Sequence, residues 1–250
     1  MLTIILITVV VILVTIGLVK LIDKFIPTKF KPVLTLLLWG VIAFLGYETY
    51  MSVYEPIKFN KEKNKRYAVV IESLKDIRDA QLAHREVTGK FSDNFESLIK
   101  FVDTANFTIT QRRDSTVVDE KLTKLYGVDT TKEIIIVDTL GTASIKDSLF
   151  KETKFKKADR YKTMMNVPIG EEGAKFEMKS GFVEQNKIFI PVFEASVTKN
   201  VILFDQNRDL LIQENQIVSV DGVNGDALKV GSMDEVKTNG NWPITYGDNE

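Results

Sequence analysis

Two long apolar runs stand at the start of the chain, and mixed apolar and polar patterns follow them. The first run, from Leu2 to Val19, has no charged residue and contains 14 Leu, Ile or Val. The second run begins at Val33 and reaches Glu48 before it meets a charge. A helix of about 20 residues spans the roughly 30 Å hydrocarbon core of a bilayer. The pattern therefore predicts a hairpin of two transmembrane helices, at about residues 2–22 and 33–53.

The first run differs from a cleaved signal peptide. Such a peptide has a basic region before its apolar core and small residues at the cleavage site. Here Met1 is followed directly by apolar residues, and Lys20 to Lys24 contains no small-residue pattern. We expect both helices to remain as an anchor.

Residues suited to the lipid–water interface accompany the two predicted helices. Aromatic rings and lysines favour this layer, because their apolar part is buried while the polar tip stays in water. The expected membrane-anchoring residues are Trp39, Tyr47, Tyr50, Tyr54, Lys20, Lys24, Lys29 and Lys31.

The basic connector between the helices predicts an orientation. By the positive-inside rule the connector is cytoplasmic, so both ends of the hairpin lie outside. A second basic stretch, from Lys58 to Arg66, opposes this orientation. We expect a multi-pass protein of the bacterial inner membrane with a periplasmic or extracellular soluble domain.

Helical periodicity begins the soluble part. Pro56 is expected to interrupt the helix that leaves the membrane. From Tyr67 to Ile77, apolar residues recur at spacings of three and four, which predicts a helix that packs on the following sheet. The same stripe fits a heptad, so pairing of helices between subunits is an alternative. Gly89 is placed to end this helix, and Asp93 with Glu96 has the capping-box spacing that starts another.

Strand-like segments dominate after residue 105. They are predicted at residues 107–118, 134–137, 175–183, 188–197, 201–204 and 210–220. The fold class is therefore α+β, with an N-terminal two-helix transmembrane hairpin and a soluble domain of helices followed by a mainly antiparallel sheet. The expected boundaries are 1–55 for the hairpin, 56–104 for the helical segment and 105–250 for the mainly β remainder of the same soluble domain.

One segment carries a resemblance to a known family. The run Leu82 to Phe91 (LAHREVTGKF) and the following Phe95-Glu96-Ser97-Leu98 show a helix end, a turn with glycine and an aromatic residue, and a short Leu-bearing helix. This pattern, with the order of elements, resembles the pilin-like proteins, including the pseudopilins of type II secretion. The resemblance implies a fold only, because this chain has two predicted spans and no prepilin-peptidase site.

Composition excludes several kinds of function. The chain has 33 Lys+Arg and 34 Asp+Glu, a net charge of -1, so no strong positive field attracts nucleic acid. It has no cysteine, which removes disulfides, thiolate catalysis and cysteine-based metal sites. Its single histidine, His84, lies near a predicted helix end, where the helix dipole favours a positive charge. A pH-sensing role for His84 is the alternative.

A weak metal motif and a basic stretch complete the candidates. Asp205, Asn207 and Asp209 match the first three ligand positions of a calcium loop. Leu210 and Gln216 stand where that loop needs glycine and glutamate, so we expect a polar turn between two strands and no metal. The basic segment 151–162 is expected to be a solvated loop, with contact to anionic lipid or to an acidic partner as the alternative.

These observations predict a non-enzymatic envelope protein, an accessory or structural subunit of a membrane complex of the secretion, transport or motor type. Expected partners are the lipid bilayer and other membrane or envelope proteins, with no nucleic acid and no cofactor, and homo-oligomerisation stays open. No catalytic residue is expected, since the sequence holds no serine-hydrolase, nucleotide-binding or zinc-protease motif. Two alternatives stay open, an extracytoplasmic ligand or calcium sensor and a membrane-bound hydrolase of unrecognised type.

Overall fold

The structure is a computed structural model in which residues 9, 10, 12–17, 19, 20, 24, 27, 30–129, 131–153 and 156–247 are described. Contacts divide the chain into two units, Met1–Lys58 and Phe59–Glu250. Helices and strands combine as an α+β architecture, with a long apolar helix near the N-terminus and antiparallel sheets in the second unit.

The longest element is helix α1 (Lys31–Thr88). Its second residue is Pro32, which suits the first turn of a helix because the N–H there needs no partner. Most apolar side chains between Val33 and Ile57 are exposed, with Leu34 and Met51 half-buried, and this part of α1 is long and apolar enough to cross a membrane. Residues 9, 10, 12–17, 19, 20 and 24 are also helical, while the remainder of the predicted span 2–22 lies outside the described residues.

The prediction that Pro56 interrupts the helix is wrong. Pro56 lies inside α1, which continues to Thr88. Proline removes the hydrogen bond to the carbonyl four residues earlier, here that of Ser52. The buried stripe that starts at Phe59, three residues after Pro56, packs this part of α1 onto the core and so favours a continuous helix.

After α1 the chain forms one helix, a hairpin with a helix at its tip, and a further short helix. These elements are α2 (Phe95–Thr104), β1 (Asn106–Val118), α3 (Glu120–Tyr126), β2 (Thr131–Ser144) and α4 (Ile145–Leu149). The cap of α2 is Asn94, whose side chain accepts a hydrogen bond from the Ser97 amide at 2.8 Å, so the prediction of Asp93 as the cap is off by one residue.

The remaining elements surround the core of the second unit. They are a 3-10 helix (Ala158–Thr163), β3 (Glu177–Gln185), β4 (Ile188–Thr198), α5 (Lys199–Ile202), α6 (Arg208–Asn215), β5 (Ala227–Gly231) and a 3-10 helix (Ile244–Tyr246). The strands predicted at 201–204 and 210–220 are wrong, because the short helices α5 and α6 lie in these segments. A contiguous apolar run such as Leu210 to Ile212 does not distinguish helix from strand.

The core lies between α1 and the sheet β3-β4-β5. The predicted stripe of α1 is confirmed as its buried face, and it packs with sheet residues into one hydrophobic cluster. The buried members from the sheet are Val192, Phe193, Ala195, Val197, Leu228 and Val230. A tight turn at Asn186 and Lys187, both with positive φ, joins β3 to β4 antiparallel, and β5 pairs antiparallel with β4. The stripe is therefore used inside the domain.

The segment at the far end of the chain closes onto α1. Trp242 is buried in the core cluster. The Lys75 ammonium donates to the Tyr246 carbonyl at 2.8 Å, and the Tyr246 hydroxyl donates to the Asn64 side-chain oxygen at 2.8 Å. One face of α1 is thus completed by residues about 180 positions later in the chain.

Candidate protein-interaction surface

Strands β1 and β2, with α3 between them, form a structure that we name the hairpin arm (residues 106–144). The two strands pair antiparallel from Asn106 with Ser144 to Val118 with Thr131, with a bulge after Ile109. Their two-stranded sheet is separate from β3-β4-β5. Among the described residues of the arm, which leave out residue 130, none is buried.

Local chemistry explains why the arm forms. The strands are rich in threonine, isoleucine and valine, which favour extended backbone. At the tip, the Asp119 carboxylate accepts hydrogen bonds from the amides of Lys121 and Leu122 at 3.0 and 3.2 Å and so caps α3. Gly127, with φ +69°, ends α3 in the left-handed conformation.

Large apolar side chains lie exposed along the arm. Ile135 is 65% exposed on β2, and Leu125 is 72% exposed at the tip. The others are Ile109, Val118, Leu122, Tyr126, Val128, Val137 and Leu140. A two-stranded hairpin alone is marginally stable in water, and an apolar patch of this kind marks an interaction site. The arm is therefore the strongest candidate surface for a partner.

The two free edges of the arm differ in character. The middle of β1 is polar, from Gln111 to Asp114, and charged side chains of this kind protect an edge from pairing. The middle of β2 is Ile134-Ile135-Ile136-Val137, with apolar residues on both faces. Such a run is typical of a strand covered on both faces, whereas here these side chains are exposed or half-buried. The β2 edge is therefore the one open to a partner.

A buried ionic cluster was not predicted from the sequence. Lys199 is fully buried, and its ammonium donates to the Glu214 carbonyl at 2.7 Å, to the Glu214 carboxylate at 3.2 Å and to the Val223 carbonyl at 2.8 Å. Lys63 and Tyr67 also donate to the Glu214 carboxylate. Burial lowers the pKa of Lys199 and raises the pKa of Tyr67. Since three acceptors occupy the ammonium, Lys199 holds α5, α6 and the following loop together.

The three weak metal candidates perform structural tasks. Both carboxylate oxygens of Asp205 accept from the Arg66 guanidinium, at 2.6 and 2.9 Å. This contact holds the pKa of Asp205 at about 2. The Asn207 side chain caps α6 by accepting from the amides of Asp209 and Leu210, so the expected turn leads into a helix. Across the described residues, no group of three or more acidic or histidine side chains is placed to hold a metal ion.

His84 lies in a shallow cleft of about 400 Å³ that also contains three serines, Ser92, Ser97 and Ser180. Its Nδ1 lies 2.7 Å from the Lys90 carbonyl, which fixes the proton on this nitrogen because a carbonyl only accepts. In the described part of the chain, no serine hydroxyl is hydrogen-bonded to His84. The nucleophile–base contact that defines a serine hydrolase is therefore not formed in this cleft.

The basic segment 151–162 contacts α1 through two of its residues, Lys156 and Arg160. The Lys156 ammonium lies 2.6 Å from the Glu72 carboxylate, and Arg160 donates to Asp76 at 2.8 and 3.3 Å. The Arg160 guanidinium also lies over the Phe150 ring. Residues 154 and 155 lie outside the described part. The charges that would meet anionic lipid are thus partly neutralised within the domain.

The expected membrane-anchoring residues fall near the start of the chain. Trp39, Tyr47, Tyr50 and Tyr54 are exposed on α1, and the rings of Tyr50 and Tyr54 stack with centroids 5.5 Å apart. Lys31 begins α1, and Lys20 and Lys24 are helical and exposed. Lys29 lies outside the described residues.

Comparison of the chain with protein-family models, with curated proteins and with solved protein structures finds no match.

Proposed function

We propose that the protein is a non-enzymatic, membrane-anchored accessory subunit of a membrane complex, and that the hairpin arm is its protein-binding surface. The observation that carries this proposal is the arm itself, a 13-residue and a 14-residue strand with no buried residue among those described. Apart from Phe107 at its base, which packs against the core, its large apolar side chains lie outside the core cluster of the domain. Their burial against a partner would stabilise both the arm and the complex.

The anchor is proposed to be the hairpin of two spans, residues 2–22 and 33–53, in a bacterial inner membrane. The exposed apolar part of α1 supports the second span. The basic connector supports a cytoplasmic turn between the spans and a soluble domain on the periplasmic side. In this arrangement the arm meets partners outside the cytoplasm.

The geometry gives less support to the alternatives. A calcium ion at Asp205 would have to displace Arg66, whose guanidinium also donates to the Ile202 carbonyl at 2.9 Å. A hydrolase would need a base in contact with a nucleophile, and His84 instead contacts Lys90 and Thr88. The proposal of an accessory subunit requires neither the displacement of Arg66 nor a new contact of His84.

The test compares the wild-type chain with a shortened-arm variant. In this variant Gln111 to Asp138 is replaced by Asn-Gly, so that Thr110 and Thr139, which face each other, are joined by a tight hairpin turn. Both tagged chains are purified from native membranes in mild detergent, and the bound proteins are identified by mass spectrometry. We expect a partner at fixed stoichiometry with the wild type and its loss from the shortened-arm variant.

Two results would contradict the proposal. One is a wild-type chain that is purified with no bound protein, and the other is a shortened-arm variant that retains the same partner in the same amount. The melting temperature of both chains serves as the control for folding. The shortened arm removes no described buried residue, so a comparable melting temperature is expected.

A further inference from the structure

We propose that the β2 edge of the hairpin arm pairs antiparallel with β2 of a second copy of this chain, about a two-fold axis at Ile135. The product is a four-stranded sheet in the order β1-β2-β2-β1. This inference rests on the proposal that the arm is a binding surface, and it names the partner of that surface.

The two free edges of the arm differ in polarity, and that of β2 is the less polar. Each strand of the arm has one free edge, and addition of a strand to an open edge is a common mode of protein recognition. Arg112, Arg113 and Asp114 protect the middle of β1, whereas the four central residues of β2 are apolar. A partner strand therefore finds its least polar edge at β2.

The sequence of β2 is complementary to itself when two copies pair antiparallel about Ile135. A two-fold axis perpendicular to a sheet keeps the faces of both strands, so it must place one residue opposite its own copy. With Ile135 at the axis, Thr131 faces Thr139, Lys132 faces Asp138, and Ile134 faces Ile136. Like-polar pairs, opposite charges and β-branched pairs each stabilise antiparallel strands. Glu133 opposite Val137 is the one pair in this register without such complementarity.

Neighbouring registers lack this match. With the axis at Ile134, Lys132 faces Ile136 and Glu133 faces Ile135. With the axis at Ile136, Asp138 faces Ile134. In both cases a charged side chain lies opposite an isoleucine, and the pair of Lys132 with Asp138 is lost. The side-chain pattern of β2 thus favours Ile135 as the centre. Within one arm Asp138 lies 2.9 Å from Arg113 and Lys132 lies 3.9 Å from Asp119, so the pairing between copies adds to these contacts.

The pairing gives the sheet of the arm enough strands to be stable. A single copy of the arm offers two strands, which is below the three or more that give a sheet independent stability. Two copies supply four strands and satisfy the backbone groups of both β2 edges. The helices α3 lie at the two ends of the sheet, where Leu125 and Tyr126 stay exposed for other contacts.

Single cysteines test the register in the full chain, which has no cysteine of its own. In the proposed pairing, two copies of residue 135 lie opposite each other at about 5 Å between Cα atoms, within the range of a disulfide. Two copies of residue 137 are about 14 Å apart, because each faces residue 133. Val137→Cys is therefore a matched control on the same face of the same strand.

The purified full chain in mild detergent is oxidised gently and examined on non-reducing gels. We expect Ile135→Cys to give a disulfide-linked dimer and Val137→Cys to stay largely monomeric. A mixture of Glu133→Cys and Val137→Cys chains should give a disulfide between the two variants. This second measurement still tests the register if Ile135→Cys impairs folding. Equal linking at 135 and 137, or linking at neither position and none in the mixture, overturns the inference.

The outcome separates this inference from the proposed function. If no link forms but the wild-type arm still captures a different protein, the dimer is wrong and the binding role of the arm stands. If the link forms at 135 and no other protein is captured, the arm serves self-association. If neither is seen, both proposals fail.

Discussion

Single charged residues join segments that are distant in the chain. Arg66, on α1, donates to the Ile202 carbonyl and to both oxygens of Asp205. Lys199 joins α5 to α6 and to the loop at Val223. For the buried pair of Lys199 with Glu214, loss of one partner is costly, since the other charge is left without compensation. These residues therefore position elements of the fold, and their chemistry is already occupied.

The pairing of Asp205 predicts acid sensitivity. Its pKa is about 2 in the folded chain against 3.8 for the free side chain. A carboxyl with a lowered folded pKa stabilises the fold above its unfolded pKa, and this stabilisation is lost as the pH falls through the folded value. We expect the free energy of unfolding to decline between about pH 4 and pH 2, with part of the slope due to Asp205.

Urea unfolding at a series of pH values measures this decline. The control is Asp205→Asn, which keeps the shape of the side chain but does not ionise. Its stability should be lower than that of the wild type at pH 6, and the difference should shrink as the pH approaches 2. Parallel pH profiles for the two chains would show that the contact of Asp205 with Arg66 contributes nothing to acid sensitivity.

At the scale of elements, β5 depends on a close approach of two backbones. Gly231 ends β5 with φ +78°, in the left-handed region. A Cβ at this position would overlap the carbonyl oxygen of Phe193 on the neighbouring strand. Only glycine fits there without a shift of the backbone.

Replacement of this glycine should therefore destabilise the sheet. We expect Gly231→Ala to lower the stability of the domain by at least about 2 kcal/mol, from the strained φ and the overlap with Phe193. Gly141→Ala is the matched control, because Gly141 lies in a strand with open space around it and without a positive φ. Thermal unfolding of both variants measures the effect, and equal melting temperatures would contradict it.

Periodic segments could be predicted from the sequence, while isolated ones could not. The stripe of α1 and strands β1, β3 and β4 could be predicted from the recurrence of apolar residues, which in β1 surrounds a polar middle. Helix α6 could not be predicted, because the apolar run Leu210 to Ile212 is as compatible with a strand as with a helix, and Asn207 is as typical of a turn as of a helix cap. The pattern also gives the faces of β1 and β2 but not their neighbours. The separate arm therefore cannot be predicted from the pattern, although the run Ile134 to Val137, which is apolar on both faces, is a sequence feature that points to it.

At the scale of the whole molecule, exposed apolar side chains are found at several places, for example Phe182, Ile188 and Phe189 around the turn between β3 and β4, and two stretches of the described chain carry many of them. One is the N-terminal part of α1, and the other is the hairpin arm. The first has the length and hydropathy of a membrane span, and the second consists of two strands paired with each other. Lipid and protein are therefore proposed as the two different environments that cover them.

This division predicts how fragments of the chain behave. The full chain should stay with membranes after washing in alkaline carbonate, because the apolar residues of α1 before Pro56 prefer the bilayer core. A fragment of residues 57–250 keeps Phe59 and the rest of the described core and should remain in the aqueous phase. Release of the full chain by carbonate would contradict the membrane anchor, and pelleting of the fragment with membranes would place a second anchor in the soluble domain.

The closure of the chain onto α1 has a consequence for biosynthesis. The apolar stripe of α1 is made early, whereas Trp242 and Tyr246, which complete its cover, are among the last described residues to be made. Contacts of such long separation form slowly, and the stripe stays open to water, lipid or chaperones until Trp242 and Tyr246 have been made. A ribosome that stops shortly before Trp242 would therefore release a chain with an incomplete core, a ready substrate for proteases.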